Sequence, residues 1–158
     1  MIAIVGCGNL LRGDDGVGPI LIRKLWEIGC PSFVKLADGG TAGMDVLFQI
    51  KGAKHVVIID ACATGAEPGT IFEVPGEEFE NIPLPQQLNL HAFRWDHAIS
   101  VGRWLLKDEF PEKITVYLIE AKNIDYGMEL SEPVKEAMEQ LIEIIKEKYF
   151  QKEIEVES

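Results

Sequence analysis

Two aspartates near the start of the chain are the residues with the clearest capacity for chemistry. Asp14 and Asp15 lie in a glycine-rich turn between an apolar segment, residues 1–5, and a helical pattern that starts near residues 15–18. In open α/β sheets, ligands bind in the loops that follow the carboxyl ends of the strands. Two carboxylates would repel a pyrophosphate there, so a cation or a polar neutral group is the better ligand for this turn. Helix capping alone is the alternative explanation for at least one of them.

The glycines of this turn differ from those of a dinucleotide-binding enzyme. The dinucleotide fingerprint has a third glycine three residues after the second, and here Leu11 occupies that position after Gly6 and Gly8. A phosphate site also needs open N–H groups and positive potential at the start of the helix, and the acidic turn opposes that potential. A nucleotide-dependent α/β enzyme therefore remains the less favoured alternative.

Asp60 is a further carboxylate at the end of a predicted strand, residues 55–59. Parallel strands with right-handed crossovers gather their carboxyl ends at one edge of the sheet, so we expect Asp15 and Asp60 to lie together. Two carboxylates so placed repel each other unless a cation or a proton lies between them. Taken alone, Asp60 is better explained as the first residue of a turn, and it becomes a candidate ligand only together with Asp15.

Asp38 and a histidine are the remaining candidates. Asp38 follows another predicted strand and precedes two glycines, where it could be a turn residue or, in a dinucleotide enzyme, the acid that contacts ribose. His91 lies between a long proline-containing loop and a predicted helix, and His97 lies at the start of that helix. A neutral imidazole with two carboxylates suits a first-row metal such as nickel. His97 shares a helical stripe with Val101 and so is expected to face the core, whereas His91 could also be a solvated loop residue.

The alternation of strand and helix patterns predicts the fold class. We expect a three-layer α/β/α sandwich with a mostly parallel open sheet of about five strands. The connection after Asp60 is too short for a crossover helix, which makes the next strand antiparallel. Residues 1–150 are predicted to form a single α/β domain and residues 151–158 an acidic tail. The predicted strands are 1–5, 33–37, 55–59, 70–74 and 113–119, and the predicted helices begin near residue 15, near Met44, at Asp96 and at Ser131.

The composition excludes several classes of function. The formal net charge is -11, and the sequence shows no cluster of basic residues of the kind that nucleic-acid binding requires. The chain has no apolar run of the roughly 20 residues that span a bilayer, and its start lacks the pattern of a signal peptide. Three scattered cysteines, Cys7, Cys30 and Cys62, indicate reduced thiols in a cytoplasmic protein. Neither Cys-x-x-Cys nor His-Glu-x-x-His occurs, so a permanent zinc is not indicated.

Four blocks of the sequence resemble one known family. The segment from Gly6 to Gly18 resembles the opening motif of the nickel–iron hydrogenase maturation endopeptidases, and Asp-Gly-Gly-Thr-Ala-Gly at 38–43 resembles their second block. A strand that ends in Asp60 and a histidine before a helix resemble the third and fourth. The resemblance runs from residue 1 to about residue 106.

The resemblance implies an aspartyl-type endopeptidase that removes the C-terminal extension of a hydrogenase large-subunit precursor after nickel insertion. It implies that Asp15, Asp60 and His91 are catalytic and bind nickel, with Asp38 as a secondary site residue beside the cleft. His91 is matched because the apolar spacing after it follows the family pattern, and His97 is the alternative ligand.

The implied metal belongs to the substrate. The nickel-loaded precursor would be the partner, with no nucleic acid and no membrane, and the chain would hold no permanent cofactor although other divalent ions could occupy the site. A nickel-binding maturation chaperone that does not cleave would use the same ligands and remains an alternative.

Overall fold

A computed structural model describes residues 1–40, 51–75 and 111–151. These residues form five strands, two helices and a short 3-10 turn that precedes the first helix. The strands are β1 (Ile2–Cys7), β2 (Val34–Gly40), β3 (His55–Cys62), β4 (Ile71–Pro75) and β5 (Lys113–Glu120); the helices are α1 (Val17–Ile28) and α2 (Glu132–Tyr149), and the turn is Gly13–Gly16.

The strands form one sheet in the order β2-β1-β3-β5-β4. β4 runs antiparallel to β5, and the other neighbouring pairs are parallel. This arrangement confirms the predicted fold class, including the antiparallel strand. The predicted helices near Met44 and at Asp96 lie outside the described residues, as does most of the predicted acidic tail, so the domain boundaries stay a prediction.

Both faces of the sheet are buried. The two helices pack on the face that carries Ile2 and Ile4, where they contribute residues such as Leu21 and Leu141 to one continuous core. The opposite face, with Val5 and Ile58 among others, is buried as well. Burial on both faces explains why β1 and β3 are almost continuously apolar in sequence. Within the described part of the chain, no helix has the length and apolarity needed to cross a membrane.

Small residues let α1 approach the strand ends closely. A Cβ added at Gly18 would lie 2.4 Å from the carbonyl oxygen of Cys7 and 2.7 Å from that of Ile59. At Gly8, which has a φ of 140°, an added Cβ would lie 1.9 Å from the carbonyl oxygen of Asp15. Backbone therefore packs on backbone, which holds the turn that carries Asp15 against β1 and β3.

His55 lies at the amino-terminal end of β3, at the opposite end of the strand from Asp60. Its Nε2 lies 3.0 Å from the Thr115 hydroxyl, and its ring packs edge-on against Tyr149 with centroids 5.1 Å apart. Burial, and to a lesser extent the charge of Lys113, lowers the pKa of His55 to about 4. His55 is thus a packing residue, remote from the end of the strand that carries Asp60.

We expect His55 to make the protein less stable in acid. Its pKa is 6.5 in the unfolded chain and about 4 in the folded one, so unfolding takes up a proton between these pH values and stability is lost as the pH falls through them. His55→Gln keeps a partner for Thr115 but does not titrate. Between pH 7 and pH 4.5, the variant should lose about 2 kcal/mol less unfolding free energy than the parent. Urea unfolding at several pH values measures this; parallel pH curves for the two proteins would contradict it.

Candidate active site at the carboxyl ends of the strands

Asp60 lies inside β3 rather than at its end. It pairs with Leu118 of β5, and β3 continues for two more residues to Cys62. The side chain is only 1% exposed, and its Oδ1 accepts a hydrogen bond of 2.8 Å from the backbone N–H of Ala61. The sheet thus places a buried carboxylate close to the carboxyl end of a central strand.

Asp15 is brought to the same edge by the turn before α1. The 3-10 turn that carries it contacts β3, and the side chain is 2% exposed. Its Oδ2 accepts a hydrogen bond of 3.1 Å from the N–H of Asn9. Since α1 starts against the carbonyl oxygen of Ile59, the residue before Asp60, the two buried aspartates approach the edge from neighbouring elements.

Asp38 occupies the exposed part of this edge. It pairs in register with Gly6 of β1, and an irregularity follows between Gly6 and Cys7, where the partner becomes Gly40. Unlike Asp15 and Asp60, Asp38 is exposed. The structure therefore places Asp15, Asp38 and Asp60 at the carboxyl ends of three adjacent strands. Their chemical roles are still predictions.

The two cysteines nearest to this edge behave as buried thiols. Burial, followed by the charges of Asp60 and Asp38, raises the pKa of the Cys7 thiol well above its usual range. Burial, then Glu120, and then Asp60 raise the pKa of the Cys62 thiol as well. Both thiols are held in the protonated form, which favours the packing role over a ligand role. All three cysteines of the chain are free.

Asp14, the neighbour of Asp15, has a different task. Its carboxylate is fully buried and accepts hydrogen bonds from the backbone N–H groups of Lys122 (2.8 Å), Asn123 (3.0 Å) and Ser131 (2.7 Å). The Ser131 hydroxyl donates to it as well, at 2.8 Å. Asp14 therefore joins the turn before α1 to the loop after β5 and to the start of α2, instead of capping α1.

Glu120 is a buried acid that the sequence did not single out. It ends β5 and is 2% exposed, and it accepts a hydrogen bond of 2.9 Å from the N–H of Thr64. The Thr64 hydroxyl and the Cys62 thiol also donate to it. An acid directly after an apolar strand is the same signal that pointed to Asp60. Glu120 orders the turn that follows Asp60.

The histidine of the candidate site lies outside the described residues, and this holds for both His91 and His97. Among residues 1–40, 51–75 and 111–151, no three side chains of the His, Cys, Asp or Glu type are grouped so that they could hold a metal ion. The ligand set of two aspartates and a histidine is therefore still a prediction.

The described residues form a mostly parallel α/β sheet with buried carboxylates near the carboxyl ends of its strands, which is where open α/β sheets bind their ligands. A family model described as hydrogenase maturation protease (HycI) matches residues 20–148. The chain belongs to the hydrogenase maturation protease family, as the resemblance of its motifs indicates.

Individual relatives agree with this assignment. A protein of Methanocaldococcus jannaschii, assigned as a hydrogenase maturation protease, is 34% identical over 151 residues, covering 91% of this chain and 93% of its own. The delta subunit of coenzyme F420 hydrogenase from Methanothermobacter thermautotrophicus is 32% identical over 157 residues, covering 91% of each chain. The solved NiFe hydrogenase maturation protease HybD from Thermococcus kodakarensis superposes with a TM-score of 0.78 at 29% identity, covering 92% of this chain and 97% of its own.

Proposed function

We propose that this protease removes the C-terminal extension from the large-subunit precursor of a nickel–iron hydrogenase once nickel has been inserted, and that it does so in the cytoplasm. The observation that carries the proposal is the placement of Asp15 and Asp60, two buried carboxylates on neighbouring elements at one edge of the sheet. Neighbouring buried carboxylates repel each other, and a bound cation relieves this repulsion. The family supplies the proteolytic activity.

In this proposal, the nickel belongs to the precursor, and the protease holds no permanent cofactor of its own. Asp15 and Asp60 bind the nickel together with His91, a mixed oxygen and nitrogen set that suits this metal. Because the ion is already fixed within the precursor, its capture positions the scissile peptide at the edge of the sheet. Recognition of the metal then restricts cleavage to precursors that carry it.

Cleavage follows by attack of water on the carbonyl carbon of the positioned peptide. The nickel ion or one of the aspartates polarises the water, and an aspartate acting as general base takes up its proton. The carbon–nitrogen bond breaks, and the departing amine receives a proton. Asp38, exposed beside Gly39 and Gly40, borders the place where an extended peptide can come close to the backbone.

The test compares nickel-loaded and nickel-free precursor as substrates of the purified protein. Mass spectrometry should show loss of a C-terminal peptide from the loaded precursor and no change in the nickel-free one. Cleavage of both would overturn nickel recognition and leave the protease activity intact. A complex with the loaded precursor that never leads to cleavage would instead identify a maturation chaperone.

A further inference from the structure

Two loops next to the candidate site expose an unusual amount of apolar surface. Residues 9–12 follow β1 and residues 124–128 follow β5, and we call them together the apolar lip. Leu10, Leu11, Tyr126 and Met128 are 50%, 69%, 72% and 50% exposed. They are four of the seven large hydrophobic residues that are exposed in the described part of the chain. Exposed apolar side chains gathered in one place mark interaction sites, whereas scattered ones need no explanation.

The apolar lip is held in one arrangement by contacts between its two loops. The N–H of Gly127 donates to the carbonyl oxygen of Leu11 at 3.0 Å. The Nε of Arg12 donates to the carbonyl oxygen of Ile124 at 3.3 Å, and the Arg12 guanidinium lies 5.4 Å from the centre of the Tyr126 ring. A surface ordered in advance loses little conformational entropy when a partner binds.

A hollow beside the apolar lip can receive a side chain of a partner. Its volume is about 420 Å³, and both loops contribute to it through Leu10 and Met128, with Ile20 of α1 and Leu130 below. Interfaces draw much of their binding energy from a few apolar or aromatic anchors that fill such depressions. The apolar lip thus combines exposed hydrophobic residues with a place for an anchor.

The apolar lip is continuous with the candidate active site. Asn9, in the first loop, donates its N–H to the carboxylate of Asp15, and Asp14 binds the backbone that leads into the second loop. In the proposed function, a protein substrate whose metal reaches Asp15 comes within reach of these loops, because the first of them is bonded to Asp15. The occupant is the substrate itself, rather than a separate partner.

We propose that the apolar lip is the docking surface for the folded body of the precursor, through an apolar patch of the precursor beside the segment that is removed. This inference rests on the proposed function, because it takes the precursor as the substrate. In this proposal, contacts at the lip supply the affinity for the precursor. The buried aspartates recognise its nickel and take part in cleavage of the peptide bond.

The test is a double variant, Leu11→Ser with Tyr126→Ser, assayed on nickel-loaded precursor. Since both side chains are exposed, the melting temperature should stay close to that of the parent. KM should rise about tenfold with kcat unchanged, because the interaction is lost equally in the ground state and the transition state. Ile28→Ser is the matched control: Ile28 is 53% exposed but belongs to α1, outside the lip, and KM should not change.

Direct binding of the precursor to each variant separates this proposal from the proposed function. A tenfold weaker complex with the double variant supports docking at the lip even if the parent protein fails to cleave. An unchanged dissociation constant for the double variant overturns docking at the lip, whatever the cleavage assay shows. A second copy of this chain is the other possible occupant of the lip, and sedimentation velocity tests it. If the parent forms a dimer that the double variant abolishes, and KM does not change, the lip serves self-association and the docking proposal is overturned.

Discussion

Asp15→Asn and Asp60→Asn should each lower kcat for precursor cleavage by about a hundredfold or more. Each substitution keeps the size of the side chain and removes the charge that the proposed mechanism uses to bind the metal and to polarise water. Glu136→Gln provides a matched control, because Glu136 is exposed on α2 and its amide variant should cleave at the parent rate. Initial rates on nickel-loaded precursor, with circular dichroism to verify folding, measure the effect.

His91→Ala and His97→Ala extend the same experiment to the histidine. Loss of cleavage with the first variant and retention with the second would support His91 as the ligand, and the reverse result would assign the role to His97. Cleavage at the parent rate by Asp15→Asn, Asp60→Asn and both histidine variants would contradict the mechanism. Nickel binding by the protein alone offers a second readout, and the affinity for nickel should weaken in the variants that stop cleavage.

Asp14→Ala should lower the free energy of unfolding by about 4 kcal/mol. The buried carboxylate accepts hydrogen bonds from three backbone N–H groups and one hydroxyl, and its removal leaves these donors without an acceptor. Ser131→Ala serves as the comparison, because it removes only the hydroxyl at the start of α2 and should cost about 1 kcal/mol. Urea unfolding of both variants measures the difference. If both variants lost the same unfolding free energy, the hydrogen bonds from the N–H groups of Lys122 and Asn123 to Asp14 would contribute nothing to stability.

The sequence predicts the sheet well because the strands are apolar on both sides. The segments of β1, β3 and β5 follow from apolar runs, which reflect burial directly. The antiparallel direction of β4 follows from the short connection after Asp60, and the start of α2 follows from Ser131 before it and Pro133 in its first turn. The strand that carries Asp60 runs three residues beyond the predicted segment 55–59, because Asp60, Ala61 and Cys62 continue to pair with β5.

The site is less predictable, because adjacent acids look alike in sequence. Asp14 and Asp15 occupy neighbouring positions, yet Asp14 binds a loop more than a hundred residues further along and Asp15 lies next to β3. Only the tertiary structure separates these roles, since the partners of Asp14 are backbone groups that carry no sequence signal. Glu120 carries the same signal as Asp60, an acid at the end of an apolar strand, but its role in ordering the turn after β3 depends on Thr64, which is remote in sequence.

The backbone contact between α1 and the strand ends also fixes the length of the segment between them. Because Gly18 packs on the carbonyl oxygens of Cys7 and Ile59, the segment between β1 and α1 cannot change its length without moving α1. One inserted residue adds up to about 3.5 Å of chain, more than the reach of a metal–ligand bond, so Asp15 would be displaced from its place. The turn at Gly65, which has open space around it, can accept an insertion or a fused tag. We therefore expect an insertion to be tolerated at Gly65 but to displace Asp15 when it falls between β1 and α1.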